Sequence, residues 1–216
     1  MNIKKFSAVF LSVAMVFIMT SCSKTETYDF SNAKTLSDVR EHMEQGKMLT
    51  QDFYLAVKET NTNFESYTEF CRKDGKEARL IRYDGYQTRF IREKDKYIVV
   101  DDIKQTAALF PYENTHDDIM WSDIDFIIWA IDMALSGELS DSSGESEGSF
   151  TEVYKTENGD SLVFEFEAGK LKTLVLSDKS DKIIATYEIS YDEKGGEKSL
   201  FKYKGYQITD MRNTEE

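Results

Sequence analysis

Along most of the chain, apolar side chains return at every second position, in short runs broken by turn residues. Phe53, Leu55 and Val57 alternate with Tyr54, Ala56 and Lys58. Residues 64–73 are rich in aromatic and β-branched types and end at Asp74-Gly75; 77–83 end at Asp84-Gly85. Residues 86–92, 97–100 and 104–110 follow, divided by polar turns at 93–96 and Asp101-Asp102, and Pro111 stops the series. Period-two alternation predicts half-buried strands. Asp-Gly between two such runs predicts a tight hairpin, because that turn needs positive φ. Connections this short make neighbouring strands antiparallel, so the expected arrangement is a meander.

Two segments change period. Leu36, Val39 and Met43 lie three and four residues apart, with Thr35 or Ser37 as cap and Gly46 as stop, and predict a short helix. Ser122 is the expected cap of a second helix over 122–135. Ile124, Ile127, Ile128, Ile131 and Leu135 occupy one side of it, and Trp121, Phe126, Trp129 and Met133 cover much of the rest. A helix apolar around its circumference is buried, or closes over an apolar space. Residues 136–149 hold a single apolar side chain among Ser, Gly, Asp and Glu and are expected to be a disordered acidic loop. A second meander then runs over 150–156, 162–166, 171–176 and 183–191, and 200–203 with 206–208 are expected to finish the sheet. Ile183, Ala185, Tyr187, Ile189 and Tyr191 form its clearest stripe. The fold class expected is α+β.

The N-terminus carries an address. Lys4 and Lys5 precede an apolar stretch from 6 to 19 that is too short to span a bilayer core, for which about 20 residues are needed. It fits the apolar region of an export signal. Met19-Thr20-Ser21-Cys22 resembles the lipobox of bacterial lipoproteins, with Thr20 and Ser21 as the small residues before the modified cysteine. The resemblance implies a signal peptide over 1–21, lipid attachment to the Cys22 thiol, and a partnership with the membrane through that anchor. Residues 22–33 are polar and read as a flexible tether to a domain over 34–212. The expected location is the extracytoplasmic side of the cell membrane, at the cell surface or in a periplasm.

Charge and composition narrow the chemistry. With 27 Lys and Arg against 40 Asp and Glu, the net charge is -13, which excludes a phosphate-binding nucleic-acid surface. The 14 Phe and 12 Tyr supply the apolar area for a core. Once Cys22 is modified, Cys71 has no intrachain partner and is expected to be a small buried hydrophobe. His42 and His116 lie in polar settings. There is no Gly-x-Ser-x-Gly elbow, phosphate-binding glycine loop, Cys-x-x-Cys or His-Glu-x-x-His. Asp117, Asp118, Asp123 and Asp125 are expected to cap the second helix through its dipole. Arg79, Arg82, Arg89 and Arg92 are expected to pair with Glu77, Glu93 and other acids across the strands. No enzyme, metal or cofactor is expected, and the chain is expected to be a monomer.

The order of elements resembles the LolA/LppX-type lipoprotein carrier superfamily. The likeness rests on 67–110, with its two Asp-Gly hairpins and the Lys96-Tyr97-Ile98-Val99-Val100 strand, and on Gly205-Tyr206-Gln207-Ile208-Thr209-Asp210. It implies an incomplete barrel, a curved antiparallel sheet with helices packed in or over its concave face. It also implies an apolar cavity. From the sheet, Phe90, Val99, Leu109, Leu162, Phe164 and Phe166 are candidates to line it, with Ile183, Tyr187 and Ile189. From the helix they are Ile124, Ile127, Ile128, Ile131 and Leu135. The function expected is binding or transfer of a lipid, an acyl chain or a lipidated partner. The alternative is a sensor or protein-interaction lipoprotein without lipid cargo.

Overall fold

The computed structural model describes residues 35–44, 52–113, 116–146, 149–192 and 198–212. Its centre is one sheet of twelve strands. They are β1 (Phe53–Asn61), β2 (Glu65–Lys73), β3 (Lys76–Tyr83), β4 (Tyr86–Glu93), β5 (Lys96–Asp101) and β6 (Thr106–Pro111), then β7 (Glu138–Ser146), β8 (Ser149–Lys155), β9 (Ser161–Glu167), β10 (Lys170–Ser177), β11 (Ile183–Asp192) and β12 (Gln207–Asp210). Two α-helices, α1 (Leu36–Glu44) and α2 (His116–Ser136), and a 3-10 turn (Lys198–Phe201) complete the described elements. The protein is therefore mostly β rather than α+β.

The spatial order is β12-β6-β5-β4-β3-β2-β1-β11-β10-β9-β8-β7. Two antiparallel meanders, β1–β6 and β7–β11, join where β1 pairs with β11. The sheet does not close into a barrel: β12 and β7 are its two edges. The turns follow the sequence signals. Asp74 and Gly75 sit at φ 53° and 72°, Asp84 and Gly85 at 45° and 79°, so both Asp-Gly pairs occupy the left-handed region the two-residue hairpin requires.

Register decides which side chains share a face. Leu55 lies opposite Phe70 on β2 and Tyr191 on β11, and Phe70 opposite Arg79, which lies opposite Phe90. That face meets the helices. Phe53, Leu55, Phe70, Leu162, Phe164, Leu174 and Ile189 form one buried cluster with Leu36 and Val39 of α1 and Met120, Ile124, Ile127 and Ile131 of α2. The opposite face of β2–β6 has its own core. Cys71, Ala78, Leu80, Ile91, Ile98, Val100 and Ala107 pack with Leu200, and Phe201, Tyr203 and Tyr206 lie against them. The half-sheet β2–β6 is thus covered on both sides, by helices on one and by the C-terminal strap on the other.

Several expectations need correction. Residues 138–146 are not a disordered loop but strand β7, paired with β8 and interrupted by register shifts at Leu139/Asp141 and Ser143/Ser146. Its side chains are exposed at every described position from 138 to 144, so no face is buried and no alternation is written into it. Residues 200–203 do not form a strand: Leu200 and Phe201 lie in the 3-10 turn and cap the second cluster. β12 does not extend the second meander but pairs in parallel with β6 at the far edge. Helix α2 begins at His116, so Ser122 is inside it and is not its cap. Gly46, Cys22 and the leader lie outside the described residues.

Candidate functional site

Most of the residues expected to line a cavity do converge. Ile124, Ile127 and Ile131 project from α2 into the helix-side cluster, with Ile131 fully buried, and Phe164 and Leu162 of β9, at 0% and 1% exposure, belong to the same cluster. Phe166 and Ile189 are buried in the same cluster, and Phe90, Val99, Ile128 and Tyr187 pack against it half-buried. Aromatic contacts stitch the two layers. Trp121 lies 4.7 Å from Phe70 and 6.2 Å from Phe53, and Phe126 lies 4.7 Å from Tyr187, centroid to centroid. Burial, then Glu59, pushes the Tyr187 hydroxyl up to about 12.

Three candidates do not join them. Leu109 lies opposite Ile98 and belongs to the second cluster, on the other face. Its neighbours Ala108 and Phe110 carry the helix-side parity instead. Ile183 is 55% exposed at the outer end of β11, beyond the register shift at Leu176/Ser177. Leu135 is 36% exposed in the last turn of α2.

Polar side chains inside these layers are built into the frame. Arg79 is buried on the helix face. Its Nε and Nη2 donate to the Asp123 carboxylate at 2.9 and 3.0 Å, and Nη1 donates to the Ile119 carbonyl at 2.5 Å. Asp123 therefore pins α2 to the sheet and does not cap the helix. Glu152 of β8, buried at 3% exposure, accepts from the Leu36 backbone N–H and from the Tyr154 hydroxyl, each at 2.9 Å. It satisfies the open N-terminus of α1, where Thr35 Oγ1 also accepts from the Asp38 N–H at 3.1 Å. Arg72 and Arg92 both reach Glu77, and Lys76 pairs with Glu93. Among the described residues no group of three or more His, Cys, Asp or Glu side chains could hold a metal ion.

On the strap side, Asp102 is a hub. Arg89 Nε and Nη2 donate to it at 2.9 and 2.6 Å, Gln87 Nε2 at 2.8 Å and the Tyr206 hydroxyl at 2.9 Å. Burial alone would raise its carboxyl, but the hydrogen bonds from Arg89, Gln87 and Tyr206 outweigh it and hold the group below the usual range. Arg89 Nη1 also donates to the Leu200 carbonyl at 2.7 Å, which ties the strap to β4. Sequence reasoning saw Asp101-Asp102 only as a turn. Gly-Tyr-Gln occurs at both 85–87 and 205–207, which contribute Gln87 and Tyr206, but three residues carry no signal for a hub.

The hub supports an open recess at one end of the sheet. A hollow of about 430 Å³ is lined by Glu65, Ser66, Tyr67, Arg82, Tyr83 and the Asp84–Gln87 turn, with Ile103. A second of about 310 Å³ adjoins it, sharing 84–87 and Ile103 and adding Thr88, Asp101 and Lys104. Tyr86 is 72% exposed between them. Arg82 lies over the Tyr67 ring at 5.3 Å, and its Nε donates to Gln87 Oε1 at 3.0 Å. Sequence reasoning did not single out this recess, because its members come from the turn ends of β2–β5 and share no period.

No family model matches the chain, and no curated protein matches it. Solved structures superpose on it with low scores at low identity. An uncharacterized conserved protein from Thermus thermophilus superposes with a TM-score of 0.43 at 11% identity, over 80% of this chain and 99% of that one. MucB in complex with MucA(peri) gives 0.43 at 9% identity, over 81% and 62%. The MucA/MucB complex of Pseudomonas aeruginosa gives 0.41 at 12% identity, over 76% and 60%. This chain thus spans less than two thirds of either of the last two.

Proposed function

We propose that the protein is a lipid-anchored extracytoplasmic recognition domain that works through its surface and carries out no catalysis. The observation that supports this reading is the contrast between its two apolar regions. Most of the residues that would wall a lipid cavity belong instead to a continuous buried cluster between α2 and the sheet, with Ile131 and Phe164 at 0% and Leu162 at 1% exposure. Phe64, Tyr83 and Tyr86 at the turn ends stay open to solvent, at 36%, 44% and 72% exposure. Such a surface suits binding, since tyrosine gives large contact area with little loss of freedom.

The test is the mature protein extracted from its own membranes. Cys22→Ser is expected to move it from the membrane to the soluble fraction, because a diacyl anchor holds firmly without a basic patch. Native mass spectrometry of the anchored protein is expected to show the covalent lipid alone. A stoichiometric non-covalent lipid that survives gel filtration would overturn the surface reading.

That result would favour a second reading, in which the domain carries an acyl chain or lipidated partner. One observation speaks for it: Phe90, Val99, Phe110 and Tyr112 form a half-buried apolar shelf on the β4–β6 end of the helix face. Burial there would contribute about 25 cal/mol per Å².

A further inference from the structure

We propose that the helix face of the sheet, at the turn ends of β1–β4, docks an extended segment of a partner protein by holding one of its lysine or arginine side chains on Glu59. The proposal rests on the surface-recognition reading and names its site and the chemistry of its partner. Register puts the residues on one face. Tyr86 lies opposite Tyr83, Tyr83 opposite Ser66, Ser66 opposite Glu59, and Glu59 opposite Tyr187, so five adjacent strands carry one row. Val57 and Ile189, two positions along β1 and β11 from that row, are buried in the cluster under α2, which places the row on the helix face.

Aromatic rings stand at both ends of the row. Phe64, which shares the parity of Ser66 on β2, meets the Tyr83 ring edge-on at 5.3 Å. At the other end Tyr187 lies 4.7 Å from Phe126 of α2, and Phe126 lies 5.6 Å from Trp129, centroid to centroid. These rings reach solvent, with Tyr83 at 44%, Tyr86 at 72% and Trp129 at 51% exposure. Between the two ends lie the small Ser66 and Glu59, both half-buried.

Glu59 supplies the charge. Its Oε1 accepts from Asn61 Nδ2 at 3.2 Å and from the Tyr187 hydroxyl at 3.4 Å, and both donors are neutral. Glu77, on the same face, is held by Arg72 and Arg92, and Asp123 of α2 by Arg79, but Glu59 has no ion pair among the described residues. A carboxylate flanked by rings is complementary to a cation, because ring faces and carboxylate both attract positive charge. The row holds no Lys or Arg, and the net charge of -13 draws cations to the molecule as a whole.

The length of the row favours a chain over a small ion. Three strand spacings separate Tyr83 from Tyr187, about 14 Å, and five extended residues span about 13 Å from first to last. A segment with apolar side chains at its first and fifth positions and Lys or Arg at its third therefore meets both aromatic ends with its cation between them. It crosses the strands and adds none, because β1–β4 are each paired on both sides.

The experiment titrates the mature full-length protein, in a maltoside detergent that carries no cation, with acetyl-Phe-Ser-Lys-Ser-Phe-amide and with its arginine, norleucine and glutamate counterparts at the third position. The lysine and arginine peptides are expected to bind with a Kd below about 1 mM, and the other two about tenfold more weakly or not at all. Glu59→Gln is expected to weaken the lysine peptide about tenfold while leaving the norleucine peptide and the melting temperature unchanged, and Trp129→Ala to weaken both peptides. Absence of binding by both basic peptides, equal binding of lysine and norleucine, or indifference to Glu59→Gln overturns the proposal. A photo-crosslinker at position 129 in intact cells is expected to capture a segment that contains Lys or Arg and is lost in Glu59→Gln. Capture of a segment with neither overturns the cation while leaving surface recognition standing. Tryptophan emission that shifts on phosphatidylcholine vesicles, equally in Glu59→Gln, overturns the partner protein in favour of a membrane. Silence of the peptides and the crosslinker together removes the recognition reading as well.

Discussion

Asp102 concentrates more of the molecule's polar order than any residue around it. Its partners come from β4 and from the strap, and they are separated by more than a hundred residues of chain. Replacing it with Asn leaves the Arg89 guanidinium buried without its carboxylate. Loss of one member of a buried pair costs about 3–5 kcal/mol, so Asp102→Asn is expected to lower the midpoint of urea unfolding sharply. The same group sets an acid limit. Its folded-state carboxyl lies below its ordinary value of 3.8, so its contribution is complete above that value and is lost as pH falls through the folded one. Thermal melts from pH 7 to 3 are expected to show a decline at the acid end that is shallower in Asp102→Asn.

Among elements, α2 and β7 show what a sequence does and does not disclose. The all-round apolar character of 122–135 pointed to a helix enclosed on every side, but only one face is: Ile124, Ile127 and Ile131 are buried, while Trp129 is 51% exposed. Ile131→Ala is expected to cost about 2–5 kcal/mol, measured by denaturant unfolding, with the spread set by how far the surrounding cluster relaxes into the gap. Where α2 hands the chain to β7, Gly137 lies against β8. A Cβ there would stand 2.4 Å from the Lys155 carbonyl oxygen and 3.3 Å from that of Ala134. Backbone atoms cannot rotate away, so Gly137→Ala is expected to detach β7, seen as faster hydrogen exchange along 138–155 with α2 still protected. The hairpins were legible because Asp-Gly and alternation are local. β7 was illegible because an edge strand with no buried face leaves no stripe to read. Leu109 was misplaced for a related reason. Alternation says that neighbours part company, but only the pairing with Ile98 says which face each takes.

For the whole molecule, the strap is what makes β2–β6 a two-sided layer. Without it Cys71, Leu80, Ile91, Ile98 and Val100 would face water. A chain ending at residue 197 is expected to bind a hydrophobic dye strongly and to aggregate at concentrations where the full chain is monodisperse, as exposed apolar patches do. The edges of the sheet are protected by different means. β12 is only four residues long, and β7 is broken by two register shifts and carries Glu138 and Asp141. Short, bulged and charged edges resist pairing between molecules.

The pairing of β1 with β11 also fixes an order of events. Phe53–Asn61 is made early, yet one side of it meets its partner only after Ile183–Asp192 has emerged. Until then the first meander has a raw flank in the middle of what will be the sheet, with Leu55 and Val57 beside unsatisfied backbone. Closure is a late, long-range event, and such events are slow. The half-made molecule is stickiest while its tail is still arriving, so a chaperone that shields the flank of β1 in that interval protects the yield of folded protein.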